Sequence, residues 1–297
     1  MTVKNHSKIC LIVSGAIMVI ALILTIFGHG INMGIDFEGG LSMEYDLQTA
    51  AVKGDLEQIL TDMSVGSYTV TYQGANESQA VIRIKDVAQD DIQNIQAQFE
   101  EAAKAKYPDA VSVGDVNYVG PVAGAALVKN AVISVLLAAA LMLVYIAIRF
   151  DFNSGVSAVF GLLHDVLIML SFMVIFRRFI QMNSPFIAAA LTIVGYSINN
   201  TIVIFDRIRE NAKKMPNAPR EEVTNISIRE SLGRTICTTA TTLITIVALC
   251  ILGVASIREF ALPIIIGICS GVYSANMING YVWAYLEEKR KVRKAKA

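Results

Sequence analysis

Long apolar runs, separated by polar segments, occupy most of the 297-residue chain. Each run is close to the ~20 residues that an α-helix needs to cross a hydrocarbon core of ~30 Å. The six runs cover residues 9–28, 125–148, 156–176, 186–205, 236–254 and 260–282. The pattern therefore predicts a polytopic α-helical membrane protein with six transmembrane helices.

The polar segment between the first two runs, residues 29–124, is long enough to form a domain of its own. Alternating apolar positions predict strands, and apolar positions three or four residues apart predict helices. The predicted order is strand 39–47, helix 49–63, strand 67–73, strand 79–85, helix 90–106 and strand 111–119. A β-α-β-β-α-β series is typical of a small α+β ferredoxin-like module. One face of such a sheet is free to contact a partner.

The composition supports a membrane protein, because charged residues make up only 17% of the chain against about 25% in soluble domains. All four cysteines lie within apolar runs, so the sequence indicates neither a disulfide framework nor a metal site. The first apolar run follows Lys4 and Lys8, as the core of a signal peptide would. It exceeds the ~7–15 apolar residues of such a core and no cleavage site follows, so we expect a retained anchor.

Basic residues in the short segments predict the orientation of the chain. Placing both termini in the cytoplasm puts sixteen Lys and Arg residues inside and three outside. The predicted cytoplasmic segments are the N-terminus 1–8, the loop 206–235 and the basic tail 283–297, which leaves 29–124 extracytoplasmic. Within the loop, residues 221–234 have an amphipathic pattern that predicts a stretch on the membrane surface. The tail is expected to contact anionic lipid, and docking to a ribosome or partner is the alternative.

Two ionisable residues, His164 and Asp165, lie near the middle of the third run. An ionisable group inside a membrane costs at least a few kcal/mol and is a functional-site hypothesis by default. The pair either bonds a neighbouring helix as a structural element or handles protons or another ion. One His beside one Asp is too few ligands for zinc, so no metal site is predicted.

Polar groups also interrupt the fourth and fifth runs, at Tyr196, Asn199 and Asn200 and then at Arg234. A stripe of threonines follows Arg234, and this stripe is typical of helix packing. Arg234 itself could extend to the interface or face a polar cavity with the fourth run. The sequence contains no nucleotide-binding loop and no nucleophile constellation, so any energy input must come from a gradient or another protein. It is not expected to be an enzyme or to bind nucleic acid.

Four motifs resemble segments of the SecF family, the smaller member of the SecD/SecF protein-export pair. They are "GIDFEGG" (34–40), "HDVLI" (164–168), "GYSINNTIVIFDRIREN" (195–211) and "SLGRTICTTATTL" (231–243), in the family's order. The resemblance implies half of an RND-like bundle of twelve helices, completed by SecD. It also implies a place in the cytoplasmic membrane of a bacterium, beside the SecYEG channel with its SecA motor.

The implied function is to use a gradient of H+ or Na+, without a cofactor, to drive or complete translocation of unfolded preproteins. Two alternatives remain: a non-coupling scaffold or chain-binding subunit of the same complex, and an RND-like exporter of small molecules. The modest size of the polar domain disfavours the exporter.

The resemblance also assigns roles to residues. Arg234 matches the family's functional arginine, and Asp206 and Arg207 match the motif at the end of the fourth helix. The opening motif is matched by Gly34, Asp36, Phe37, Gly39 and Gly40. Asn200 departs from the pattern, because many family members carry an aspartate there that is proposed to take part in proton passage. An amide does not titrate near neutral pH, so the titrating group would lie elsewhere.

Overall fold

The structure is a computed structural model that describes residues 3–73, 75–113, 116–177, 180–253 and 255–296. It contains two compact units: an α/β domain, Met33–Val132, and a helical bundle made of Met1–Asn32 and Ile133–Ala297. The helices are α1 (Val3–Ile26), α2 (Ile35–Glu38), α3 (Asp55–Asp62), α4 (Ile92–Lys106), α5 (Pro121–Arg149), α6 (Phe152–Ile175), α7 (Ser184–Lys214), α8 (Arg220–Leu252), α9 (Ala255–Tyr273) and α10 (Gly280–Lys296). The strands are β1 (Gly40–Asp46), β2 (Tyr68–Gln73), β3 (Gln79–Ile84), β4 (Val111–Ser112) and β5 (Asn117–Val119).

Six helical segments among the described residues are long and apolar enough to cross a membrane, which confirms the six predicted spans. They are Ser7–Ile26, Val122–Ile146, Phe152–Ile175, Ser184–Lys214, Arg220–Leu252 and Ile257–Arg293. The last one is continuous through a π-helix, Ser274–Asn279, that joins α9 to α10.

The spanning helices differ in how deeply they are buried within the bundle. About half of the most apolar stretch of α6 and of α7 is buried, whereas the corresponding stretch of α5 carries no buried residue and that of α8 very few. α7 is central and packs on α6, α8 and α9. The outer faces of α5 and α8 are therefore available to lipid or to a partner.

The segment 206–235 is mostly helical, unlike the predicted loop. α7 continues to Lys214 and α8 begins at Arg220, directly after Pro219, with Glu221 and Glu222 in its first turn. Acidic side chains stabilise the positive end of a helix. The polar residues at the start of α8 therefore extend this helix beyond its apolar part. The stretch 221–234 is part of this long helix and not a separate surface helix. Val223 is fully buried in the bundle core.

The α/β domain is built on an antiparallel sheet with strand order β2-β3-β1-β4, in which β5 also pairs with β1. Alternate residues of β1 are buried, and Met43 and Tyr45 pack with Leu56 of α3 and Phe99 of α4. The element order follows the predicted series, but the last strand is formed by the two short strands β4 and β5. α3 is shorter than the predicted helix 49–63, because Gly54 has a left-handed φ of 98° immediately before Asp55.

Candidate functional site

The carboxylate of Asp165 lies in the interior of the bundle, with no exposed surface. It accepts hydrogen bonds from the hydroxyls of Ser197 at 2.5 Å, Ser270 at 2.7 Å and Ser274 at 2.9 Å. Ser197 belongs to α7, Ser270 to α9 and Ser274 to the first turn of the π-helix. One carboxylate on α6 therefore holds α7, α9 and the π-helix together.

His164 extends this hydrogen-bond network to α1. Its Nδ1 lies 3.0 Å from Asp165 Oδ1, and its Nε2 lies 2.8 Å from Ser14 Oγ and 2.9 Å from Tyr273 Oη. Ser14 Oγ and Tyr273 Oη are 2.6 Å apart, and Ser14 also donates to the carbonyl of Cys10. With its proton on Nδ1 the imidazole donates to Asp165, and its Nε2 accepts from the hydroxyl of Tyr273, because the single proton of Ser14 is donated to the Cys10 carbonyl.

Adjacent positions on α6 explain why the two side chains reach different helices. Consecutive residues of an α-helix are ~100° apart around the axis, so Asp165 faces α7 and α9 while His164 faces α1. Ser270 and Ser274 are four residues apart and share one side of their helix. Asp165 has no Lys or Arg partner among the described residues, and its contact with His164 is ionic only when the imidazole is protonated, so neutral hydroxyl donors provide most of its stabilisation.

A second polar contact joins the same helices four residues farther along α7. Asn279 of the π-helix donates to Thr201 Oγ1 at 2.9 Å. The Asn279 side chain packs against Gly161 so closely that a Cβ on Gly161 would overlap it. Asn200, beside Thr201, is 3% exposed, and its Nδ2 has no hydrogen-bond partner among the described residues. It lies in the bundle, as its position in the fourth run led us to expect.

The other predicted polar residues lie toward α8. Tyr196 donates to Thr239 Oγ1 at 3.2 Å, which joins α7 to α8. Asn199 and Arg234 are exposed on the surface of this chain. No described residue forms a hydrogen bond or ion pair with the Arg234 side chain, so the bundle does not bring Arg234 into direct contact with Asn200 or Asp165. Thr238 and Thr241, below Arg234, donate to carbonyls of their own helix.

The motif at the end of the fourth span connects three helices. Asp206 of α7 pairs with Arg149 of α5 at 3.1 Å. Arg207 pairs with Glu210 at 2.7 Å and with Glu230 of α8 at 2.6 Å. These pairs are well exposed and screened by water, so they define helix positions more than they add stability.

The opening motif forms a tight turn at the start of the α/β domain. Ile35–Glu38 is one helical turn, and Gly39 and Gly40 follow it with φ of 83° and 136°. A Cβ on Gly40 would overlap the Ile84 carbonyl oxygen, so only glycine fits there. Phe37 is buried, and Gly34 precedes the turn in extended conformation. The neighbouring Glu38 forms an ion pair with Lys85.

The interpretation of the sequence found His164 and Asp165 but not their hydroxyl partners. The missed partners are Ser14, Ser197, Ser270, Tyr273 and Ser274, and Asn279, which bonds to Thr201, was also missed. Serines pass unnoticed in apolar helices because they are common there and bond weakly to their own backbone. The four-residue spacing of Ser270 and Ser274 was the one feature of the sequence that could have indicated a polar contact on that side of the helix.

Comparison with known proteins agrees with the motifs. The chain matches the family described as "Protein export membrane protein SecD/SecF, C-terminal" over residues 98–289, and the "SecD/SecF GG Motif" over residues 25–51. A protein translocase subunit SecF of Rhodothermus marinus is 35% identical over 98% of this chain and 94% of its own length. The corresponding protein of Alicyclobacillus acidocaldarius is 37% identical over 92% of this chain and 88% of its own length.

The fold also matches a solved structure. The crystal structure of SecDF from Thermus thermophilus, described as a translocon-associated membrane protein, superposes with a TM-score of 0.83 at 30% identity. The match covers 96% of this chain but only 38% of the SecDF chain. The SecDF chain is therefore much longer than this one. On these matches, the chain belongs to the SecD/SecF family of protein-export membrane proteins, on its SecF side.

Proposed function

We propose that this chain is a SecF-type accessory subunit of the protein translocase. It works with a SecD-type partner in the cytoplasmic membrane of a bacterium, with both termini in the cytoplasm. The pair uses a transmembrane gradient of H+ or Na+ to drive or complete translocation of unfolded preproteins through SecYEG after SecA has acted. The observation that carries the proposal is the buried Asp165 carboxylate, held between four helical segments by groups that can exchange protons.

Protonation of Asp165 would change how the helices are held together. The ionised carboxylate accepts from three hydroxyls and from His164, whereas a protonated one donates a bond and accepts more weakly. Hydrogen bonds to a charged group contribute ~1.5–3 kcal/mol and neutral ones ~1 kcal/mol. Losing the charge therefore weakens several contacts at once, by a few kcal/mol in total. Such a difference is enough to shift an equilibrium between two packing arrangements.

The network gives the proton a route toward α1. Asp165, His164 and the pair formed by Ser14 and Tyr273 are each within 3.0 Å of the next group. Imidazole and hydroxyl groups both donate and accept, so a proton can pass along them by exchange of hydrogen bonds. α1 directly precedes the α/β domain in sequence, and α5 continues from that domain into the bundle, so α1 is one of the two elements through which a change in the bundle can reach the domain.

We assign the counter-charge of Arg234 to the partner subunit. A guanidinium without a counter-charge on a spanning helix is costly, and no described residue of this chain pairs with it. A carboxylate from the SecD-type subunit would provide the missing partner. Asn200 cannot titrate, so the ion-binding carboxylates in this proposal are Asp165 and the one supplied by SecD.

The test is ion-driven translocation in vesicles that contain this chain, its SecD-type partner, SecYEG and SecA. Asp165→Asn removes the titrating group at nearly constant volume and is expected to abolish the gradient-dependent part of translocation while the complex still assembles. The control is Asp206→Asn, the same substitution in an exposed ion pair, which is expected to retain it. Equal gradient dependence in wild type and Asp165→Asn would overturn the proposed role of Asp165.

A second comparison tests the partner's contribution. Arg234→Gln is expected to eliminate gradient-dependent translocation, and Arg229→Gln, an exposed arginine on the same helix, is expected to leave it unchanged. Asn200→Asp tests whether this chain takes part in ion coupling or acts only as a scaffold. If Asn200 lies on an ion path shared with SecD, the new carboxylate is expected to alter how translocation depends on pH or sodium. If Asp165→Asn, Arg234→Gln and Asn200→Asp all leave the ion dependence unchanged, the chain is a scaffold subunit.

A further inference from the structure

A polar pocket of about 230 Å³ lies at the end of the bundle where α6 begins and α7 ends. The start of α8 and the middle of α10 complete its wall. It is lined by Asp151, Ser154, Phe205, Ile208, Arg209, Ala212, Lys213, Arg220, Trp283, Glu287 and Arg290. This pocket is separate from the Asp165 network, and the proposed function does not use it.

The pocket carries an excess of positive charge. Four basic side chains line it, against two carboxylates, Asp151 and Glu287. Both carboxylates are already engaged by neighbours: Asp151 accepts from Ser154, and Glu287 accepts from Asn153 at 2.5 Å and lies 3.6 Å from Arg290. The remaining basic groups are Arg209, Lys213 and Arg220.

Three donor atoms in this pocket, on two side chains, are buried without an acceptor. Nε and Nη1 of Arg220 are inaccessible and have no hydrogen-bond partner in the described part of the chain, and the same holds for Nε1 of Trp283. Trp283 is only 6% exposed. Buried donors are nearly always paired in folded proteins, and an unpaired charged donor is among the most costly. The arrangement therefore points to an acceptor that binds from outside the chain.

We propose that the pocket binds a phosphate-bearing anion. The guanidinium of Arg220 supplies a positive charge and two unpaired N–H donors, on Nε and Nη1, which phosphate oxygens accept as charge-assisted hydrogen bonds, and the Trp283 N–H provides a third donor. Arg220 is also the first residue of α8, where the positive end of the helix favours an anion. The volume equals that of about eight waters at ~30 Å³ each, enough for a phosphate with a glycerol group.

Two sources share this chemistry: the headgroup of an anionic lipid and free phosphate. Phe205, Ile208 and Ala212 give one side of the pocket an apolar wall, against which the glycerol and the first methylenes of a lipid would pack. A soluble phosphate would use only the basic side. The ligand experiment is arranged to separate the two sources.

The experiment measures lipid retention by native mass spectrometry of the full chain in detergent. Phosphatidylglycerol is compared with diacylglycerol of the same acyl chains, which lacks the phosphate. Phosphatidylglycerol is expected to bind to wild type and to Arg229→Gln, and at least about tenfold more weakly to Arg220→Gln, because a charged hydrogen bond is lost. Inorganic phosphate is tested alone by thermal shift. Stabilisation by phosphate that depends on Arg220, with no retained lipid, supports the site with a soluble ligand.

Trp283→Phe keeps the test decisive should Arg220→Gln fail to fold. It removes a single neutral donor and is expected to weaken binding by about threefold to tenfold. The proposal is overturned if Arg220→Gln and Arg229→Gln show the same retention of phosphatidylglycerol and the same stabilisation by inorganic phosphate. It is also overturned if diacylglycerol is retained as well as phosphatidylglycerol and phosphate gives no stabilisation, or if Trp283→Phe changes the binding of neither ligand.

Discussion

A single methyl group added at Gly267 tests how closely α7 and α9 must approach. The Cβ of an alanine there would overlap Cδ1 and Cγ1 of Ile193 and lie 2.7 Å from its Cγ2. Ile193 is 1% exposed and packed in the core, so its side chain has no free space to occupy. The two helices would have to separate, and overpacking of this kind costs about 1–3 kcal/mol.

Two other glycines in the same helices provide graded controls. At Gly271 a Cβ would lie 3.3 Å from Ser197 Cβ, and at Gly195 it would meet no atom within 4 Å. The intrinsic preference of a helix for alanine, up to about 1 kcal/mol, applies at all three positions. The expected order of stability is Gly195→Ala, then Gly271→Ala, then Gly267→Ala, with about 1–3 kcal/mol between the first and the last.

The assay is unfolding of the purified chain in mixed detergent, followed by tryptophan fluorescence. The chain contains one tryptophan, Trp283, which is buried in the bundle, so the signal reports the bundle alone. Gly267 and Ile193 lie one turn before Gly271 and Ser197, so separation of the helices should also weaken the bond from Ser197 to Asp165. Equal stability of Gly195→Ala and Gly267→Ala would refute the inferred close packing.

Two further predictions concern the α/β domain, and both are measured by circular dichroism. Burial, and then the charge of Glu100, raise the pKa of Tyr45 to about 12. The folded state therefore disfavours its ionised form, and stability falls as the pH rises from about 10, the unfolded pKa, through 12. Tyr45→Phe is expected to reduce this alkaline loss and, since the hydroxyl has no partner among the described residues, to leave stability at pH 7 unchanged or higher. A mutant that loses stability at pH 11 as steeply as wild type would contradict this. Gly40→Ala is expected to destabilise the domain by more than about 2 kcal/mol, whereas Gly54→Ala, at φ 98° but with no atom near its Cβ, should cost less. Equal losses would show that the contact with Ile84 is unimportant.

Most of the architecture could be predicted because the membrane restricts the structures that a spanning segment can adopt. A spanning segment must satisfy its own backbone hydrogen bonds, so length and hydropathy are enough to locate a helix. The same reasoning failed at 206–235, because hydropathy detects the part of a helix in hydrocarbon and not the polar turns that extend beyond it. α7 and α8 continue into those turns as far as Lys214 and from Arg220.

The site was predictable only in part. His164 and Asp165 could be identified because an ionisable group within an apolar run is costly, whatever its neighbours are. Arg234 and Asn200 were singled out by the resemblance and by polarity, and the expectation that they share a cavity stays a prediction. In this chain Arg234 is exposed and Asn200 is buried.

The sequence by itself determined the number of spans, the series of strands and helices in the α/β domain, the family and the presence of a buried ionisable pair. These features depend on local composition and on the spacing of residues, and both can be read directly from the sequence. Only the tertiary structure decided that Ser197, Ser270 and Ser274 meet at Asp165, that His164 connects to α1, and that Arg220 and Trp283 are left without acceptors. Such contacts join residues as far as 259 positions apart, as between Ser14 and Tyr273. They form only because helix packing brings the polar faces of these helices together, and no local pattern in the sequence predicts that packing.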